Sequence, residues 1–401
     1  MMRLLVHKSK LLIALSSLLI LTNYYYIYFY EFKQGTSGAG GLFSLIRFFA
    51  IGLLISQLYQ PIILTTYKKW HLYLIIFCFT GGTITLAKSM VLDTTAGMMV
   101  ANILICAIPA TMLKPHPETQ RFWFFLDCCK NILSLEVIID YAVYLANASI
   151  WENKAFIGGV GNPSSFGITC CIFLAYTLFC KPRTSINLAA GSLLAFGALK
   201  TNALLPTLLL ATMILCSLII RPSKSVLAIS LLFIGALITI PNSVTDGHTA
   251  YKLESLIEAG AGETSSNISQ SVSLRETIHR DYLDKITEHP IITTLVGDIN
   301  QPYVGVDSQV LTYLSSFGVL TSLFFLLYTV NFGVTSLQLH GRQRYFMLAA
   351  VAVYSTTFIF NRILDYYPMA LFFILLAQLA TIERTKLQVD NRIPTPANPC
   401  D

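Results

Sequence analysis

Apolar runs close to twenty residues long recur from one end of this chain to the other. They fall at 11–30, 41–59, 70–87, 94–113, 122–146, 164–180, 185–200, 203–220, 225–243, 309–333, 346–360 and 367–383. Each is near the ~20 residues with which a helix crosses a bilayer core of about 30 Å. Nothing else restricts the fold so tightly. Backbone in hydrocarbon must satisfy its own hydrogen bonds, which only helices and closed barrels achieve. The expected fold is all-α, a polytopic membrane protein of about twelve transmembrane helices. Composition agrees. Charged residues make up 12% and apolar residues 54% of the 401, whereas a soluble domain carries about 25% charged residues.

Basic residues give an orientation. With the N-terminus in the cytoplasm, the inside loops hold Lys68 and Lys69, Lys114 and Arg121, Lys181 and Arg183, Arg221 and Lys224, and Arg342 and Arg344. The tail adds Arg384, Lys386 and Arg392, while the short outside loops hold single cations, Lys33, Lys88, Lys154, Lys200 and Arg362. An excess of Lys and Arg marks the cytoplasmic side. The rule puts both termini in the cytoplasm and the long loop from Thr245 to Ser308 outside, between the ninth and tenth spans. The net charge of +6 then reports loops facing anionic lipid. No basic patch is interleaved with exposed aromatics, so nucleic acid is not an expected partner. Arg3, Lys8 and Lys10 precede an apolar run that ends in Tyr and Phe without a small-residue cleavage site, so the first run reads as an anchor.

The organisation follows. Residues 1–244 hold nine spans, 245–308 the outer loop, 309–383 three spans and 384–401 a cytoplasmic tail. Lys200, Thr201, Asn202 and Pro206 break the region 186–220 into a helical hairpin with an outer tip. The nine cysteines contain no Cys-x-x-Cys pair and read as small core side chains, not as a disulfide framework or a metal site.

Several ionisable residues stand inside the runs, where they are costly and face a cavity or a partner. In the fifth span, Asp127 and Lys130 are three residues apart and share a face on which they could neutralise each other. Glu136 and Asp140, four apart, share another. Either they line a polar cleft or a proton path, or the span is shorter and they sit at its ends. Arg47 in the second span either partners one of these acids or snorkels outward.

The outer loop has internal order. Ser273 and Glu276 form a capping box, and Leu274, Ile278, Tyr282 and Ile286 give an apolar stripe. The spacing therefore predicts an amphipathic helix over 273–288, which Pro290 ends after His289. An apolar stretch follows, 291–296, then Gly297. Asp307-Ser308 stands at the mouth of the tenth span, where an acid is either a helix N-cap or a reactive group.

This arrangement resembles the O-antigen polymerase and O-antigen ligase superfamily of GT-C-type membrane glycosyltransferases. The resemblance is clearest from Arg275 to Phe325. It runs through Tyr282, Ile286, His289-Pro290, Gly297 and Asp307-Ser308 to Leu311, Leu314, Phe317-Gly318 and Phe324-Phe325. Gly161-Asn162-Pro163-Ser164-Ser165-Phe166 and Lys200-Thr201-Asn202-Ala203-Leu204-Leu205 are similar to two upstream motifs. The arginine that many members carry before Ala-Leu-Leu is absent, with Lys200 the nearest cation. Asp307 stands where ligases usually have histidine, which is more like the polymerases.

The resemblance implies a substrate of undecaprenyl-diphosphate-linked oligosaccharide, handled at the periplasmic face of a bacterial inner membrane, with a chain-length co-polymerase as a possible partner. No Asp-x-Asp or EF-hand-like motif lies in the outside segments, so metal-independent catalysis, without a cofactor, is expected. On this reading Arg275 is the main diphosphate clamp, Arg280 and Lys200 secondary contacts, and Asp307 the base or acceptor positioner. His289 and His279 are reserves for acid–base work, and Asn162 contacts substrate. A ligase acting on lipid A core, a secondary transporter or flippase, and a purely structural membrane protein are the alternatives.

Overall fold

The computed structural model describes residues 2–27, 40–63, 68–92, 97–147, 151, 154–220, 280, 284, 290–297 and 308–390. Its helices are α1 (Met2–Ile27), α2 (Gly40–Leu58), α3 (Lys69–Leu92), α4 (Gly97–Met112), α5 (Gln120–Leu145), α6 (Pro163–Cys180), α7 (Ser185–Lys200), α8 (Leu204–Ile220), α9 (Ile291–Val296), α10 (Gln309–Leu337), α11 (Gly341–Phe360) and α12 (Tyr367–Asp390). The expected span 225–243 lies outside the described residues; each of the other expected spans falls on one of these helices. Four, α3, α6, α10 and α12, are long and apolar enough to cross a membrane, and α7, α8 and parts of α2 and α4 are shorter apolar helices. One element departs from the all-α expectation. Tyr59–Ile63 (β1) and Leu113–Pro115 (β2) form a short antiparallel ribbon just beyond α2 and α4.

Burial orders the bundle. In their apolar windows α12 is 83% and α6 is 78% buried, against 33% for α3 and 39% for α10. A helix that is hydrophobic all round belongs inside, so α6 and α12 form the axis and α3 and α10 lie at the rim. Consecutive residues on α12 serve different neighbours, because a helix turns about 100° per residue. Phe372 meets Phe173 of α6 and Phe125 of α5, with ring centroids 5.1 and 6.0 Å away. Phe373 meets Tyr354 and Phe358 of α11 at 4.9 and 5.2 Å, and Tyr328 of α10 at 5.6 Å.

Helix starts are set by side-chain caps. Asn162 caps α6, with Pro163 at the first helical position, and Ser308 caps α10 by accepting from the Leu311 N–H at 3.3 Å. These are the roles such residues fill at a helix N-terminus. Ser308, not Asp307, therefore occupies the cap position at the mouth of α10.

The tip of the α7–α8 hairpin is not an exposed loop. Thr201 and Asn202 are buried. At 16 residues, α7 is only ~24 Å long at 1.5 Å per residue. The tip thus stops beneath the segment 154–160, whose Phe156 N–H donates to the Lys200 carbonyl at 3.0 Å. Lys88, likewise expected in an outer loop, is inside α3 and buried.

The sharpest irregularity is in α10. Gly318 has φ 76° and ψ 175°, a conformation open to glycine and strained for other residues. Against this break lies α9. A Cβ on Gly318 would stand 2.5 Å from both Gly297 N and Leu295 O, and one on Gly297 would stand 2.8 Å from the Ser316 carbonyl. The two glycines let two backbones touch. Gly318→Val should therefore cost about 2 kcal/mol or more of stability, read as a lower thermal midpoint in detergent. Gly333→Ala in the same helix, where the added carbon meets only Val351 at 3.6 Å, should stay within about 0.5 kcal/mol.

Candidate functional site

One end of the bundle collects the ends of α1, α5 and α7, the starts of α6 and α10, and the α11–α12 joint. Its centre is on α5. Glu136 and Asp140 share a helix face, as their spacing predicts, and both are buried, to 1% and 5% exposure. A buried carboxylate needs donors, and here they come from backbone. A 3-10 turn over Gly158–Val160 wraps the two acids. The N–H groups of Ile157 and Gly158 donate to Asp140 Oδ2 at 3.0 and 2.8 Å, and that of Gly159 to Glu136 Oε2 at 3.2 Å. Tyr25, at the end of α1, donates its hydroxyl to Asp140 Oδ1 at 2.6 Å.

The two glycines are required by space. A Cβ on Gly159 would stand 1.8 Å from the Leu21 carbonyl of α1, and one on Gly158 would stand 2.2 Å from the Phe166 ring. Only a bare backbone lets the turn sit between α1 and α6 with its N–H groups on the acids.

Around this centre lie further polar groups. Lys200 is buried to 3% exposure at the last turn of α7, its ammonium 4.5 Å from the Tyr144 ring centroid. A cation there suits the negative end of the helix dipole. Asn361 donates to the Ser164 hydroxyl at 2.6 Å, and its carbonyl accepts from the Gln309 N–H at 3.2 Å. Gln309 in turn accepts from the Leu364 N–H at 3.0 Å. Arg362 and Asp365 pair at 3.3 Å. Burial raises the Asp365 carboxyl from its ordinary 3.8 to about 6, with Arg362 pulling the other way.

Two of the expected site residues, Asn162 and Lys200, come to this end. Asn162 spends its side-chain oxygen on the α6 cap, accepting from Ser165 N at 3.1 Å. Arg280 is helical and exposed, and Asp284 is helical too. Arg275, His279, His289 and Asp307, with the rest of the expected helix 273–288, lie outside the described residues.

Three pairings differ from the sequence expectation. Asp127 and Lys130 do not form a direct ion pair. Lys181 lies 2.5 Å from Asp127, which also accepts from the Tyr176 hydroxyl at 3.1 Å, while Lys130 donates to Asn187 at 2.6 Å. Asp127 and Lys130 also belong to the opposite end of the bundle, so span five does not line one continuous polar cleft. Arg47 meets no acid among the described residues; its guanidinium lies 5.1 Å from the Tyr367 ring centroid, a cation–π contact.

Sequence reading passed over Tyr25, the Gly158-Gly159 pair, Gln309, Asn361 and Asp365. The glycine pair was the available signal, since adjacent glycines before a capped helix mark a close backbone approach. Among the described residues there is no cluster of three or more His, Cys, Asp or Glu side chains that could hold a metal ion, and the eight described cysteines are free thiols.

Fold and site together define a class: an all-α membrane protein with a cluster of buried ionisable groups at one end of its bundle. Set against known proteins, the chain matches no family model and no curated sequence.

Two measurements check the site. Tyr25→Phe leaves Asp140 Oδ1 short of a donor and should lower stability by about 1–3 kcal/mol. Glu136→Gln should cost less, because Oε1 has no hydrogen-bond partner among the described residues and the amide oxygen can keep Gly159. Detergent thermal melts showing equal costs would reject this ranking. The Asp365 carboxyl favours its protonated form in the folded protein. Its contribution is therefore full below about pH 4 and lost as pH rises through about 6. Asp365→Asn should flatten the thermal midpoint across that window.

Proposed function

We propose that the chain polymerises undecaprenyl-diphosphate-linked oligosaccharide repeat units at the periplasmic face of a bacterial inner membrane. The reading includes twelve crossings, cytoplasmic termini, and an outer face formed by the end that carries Glu136 and Asp140. One observation supports it above others. The two stretches that carry the sequence resemblance, His289-Pro290 to Gly297 and Leu311 to Phe325, meet in space through Gly297 and Gly318. The glycines of both motifs thereby acquire one physical reason. Asn162, Lys200 and Ser308, from the other motif segments, gather at the same end of the bundle as the start of α10.

In this mechanism the acceptor sugar hydroxyl attacks the anomeric carbon of the donor. A new glycosidic C–O bond forms as the bond to the lipid diphosphate breaks, and the diphosphate leaves with the electron pair. Asp307 takes the hydroxyl proton; Ser308 holds the α10 cap, which releases Asp307 from that duty. Arg275 grips the departing diphosphate through its planar fork, with Arg280 as a secondary contact. Lys200, buried and covered by the segment 154–160, supports the site through its field more than by contact. His289 and His279 are the reserves for acid–base work, and a chain-length co-polymerase is the partner this activity calls for.

The test is Arg275→Ala and Asp307→Asn, each expressed at normal level in cells that lack their own polymerase. Both should leave single repeat units on the surface in place of a ladder, a loss of at least about 10²-fold for a group acting in the transition state. Normal ladders from both would overturn these roles. Loss of all surface glycan would indicate a flippase instead, and polymer that stays on its lipid carrier would indicate a ligase.

A further inference from the structure

The opposite end of the bundle has a groove of its own. It lies between the start of α3, the segment after β2 and the last turns of α12. Its two lobes, about 580 and 220 Å³, meet at Lys68, whose ammonium donates to Thr385 Oγ1 at 2.7 Å. Trp70, Ile382 and Val389 give the larger lobe apolar walls; Lys386 also lines it, and Lys69 and Arg384 line the smaller one. No aspartate or glutamate is among the residues lining either lobe. The acid next along α12, Glu383, accepts from Trp123 Nε1 of α5 at 3.0 Å.

Four cations, Lys68, Lys69, Arg384 and Lys386, thus stand around one cavity without an acid among its described lining residues, an arrangement that calls for an anion. Lys68 adds to this. Burial first, and Arg384 second, hold its ammonium below the usual lysine value, as expected of a cation crowded by another cation. A bound anion would relieve both.

We propose that this groove binds the headgroup of an anionic phospholipid. The phosphate would lie with Lys68 and Arg384, and an acyl chain would run along the apolar wall. Free phosphate would leave that wall uncovered, which selects a lipid. Basic pockets between helices are the usual form of such sites. The inference is independent of the glycan chemistry, since it uses neither Arg275 nor Asp307.

The full chain, purified in detergent, is titrated with phosphatidylglycerol, phosphatidylcholine or inorganic phosphate, and bound lipid is counted by native mass spectrometry. Phosphatidylglycerol should bind roughly tenfold or more tighter than phosphatidylcholine, the scale set by two basic residues beside an anion. The Lys68→Gln/Arg384→Gln double variant should lose that preference at an unchanged thermal midpoint, and Lys68→Arg should keep it. If the double variant does not fold, the single variant Arg384→Gln is read instead and should weaken phosphatidylglycerol alone. Equal binding of the two lipids to the wild type, or an unchanged preference in the variant read, would overturn the site. Displacement of phosphatidylglycerol by millimolar inorganic phosphate would overturn the lipid assignment in favour of a free anion.

Discussion

A carboxylate inside an apolar bundle stays there only if donors come to it, and the end of this bundle that holds Asp140 is arranged around that demand. Asp140 accepts from Tyr25 and from the N–H groups of Ile157 and Gly158, while Glu136 accepts from Gly159. Those bonds tie α1, α5 and the 3-10 turn into one unit. The turn then fixes where α6 begins, because Gly161 and the Asn162 cap follow it directly. It also fixes how far α7 can rise, because the Phe156 N–H holds the Lys200 carbonyl. Remove the acids and the turn has no reason to fold inward between α1 and α6.

The rest of the bundle is held by shape more than by charge. Apolar side chains gain little by leaving lipid for protein, so helices in a membrane associate through close packing and the occasional polar contact. Both devices are present. Phe372 and Phe373 divide the neighbours of α12 between them, and Gly297 and Gly318 let α9 rest on the backbone of α10. The break at Gly318 takes a glycine conformation out of the helix and gives a docking place in return.

Helix positions were legible in the sequence because length and hydropathy are local properties, and in a bilayer they decide nearly everything. The sorting of cations between the two ends was legible for the same reason. The partners were not. Asp127 finds Lys181 and Tyr25 finds Asp140 across 54 and 115 residues of sequence, and nothing along α5 announces either choice. Lys88 and Lys200 read as loop cations because sequence shows charge but not depth. The residues of the segment 245–308 with most of the expected chemistry, Arg275, His279, His289 and Asp307, rest on resemblance and on the roles their side chains can fill.

The short hairpin of α7 and α8 has a consequence for the lipid around it. Ile186, Leu215 and Ile219 are exposed along it, yet the 16 residues of α7 offer only ~24 Å of apolar length against a hydrocarbon core of about 30 Å. Lipid beside this pair has to compress by several ångströms to keep its tails on apolar surface. A bilayer thinned in this way would lie next to the buried acids.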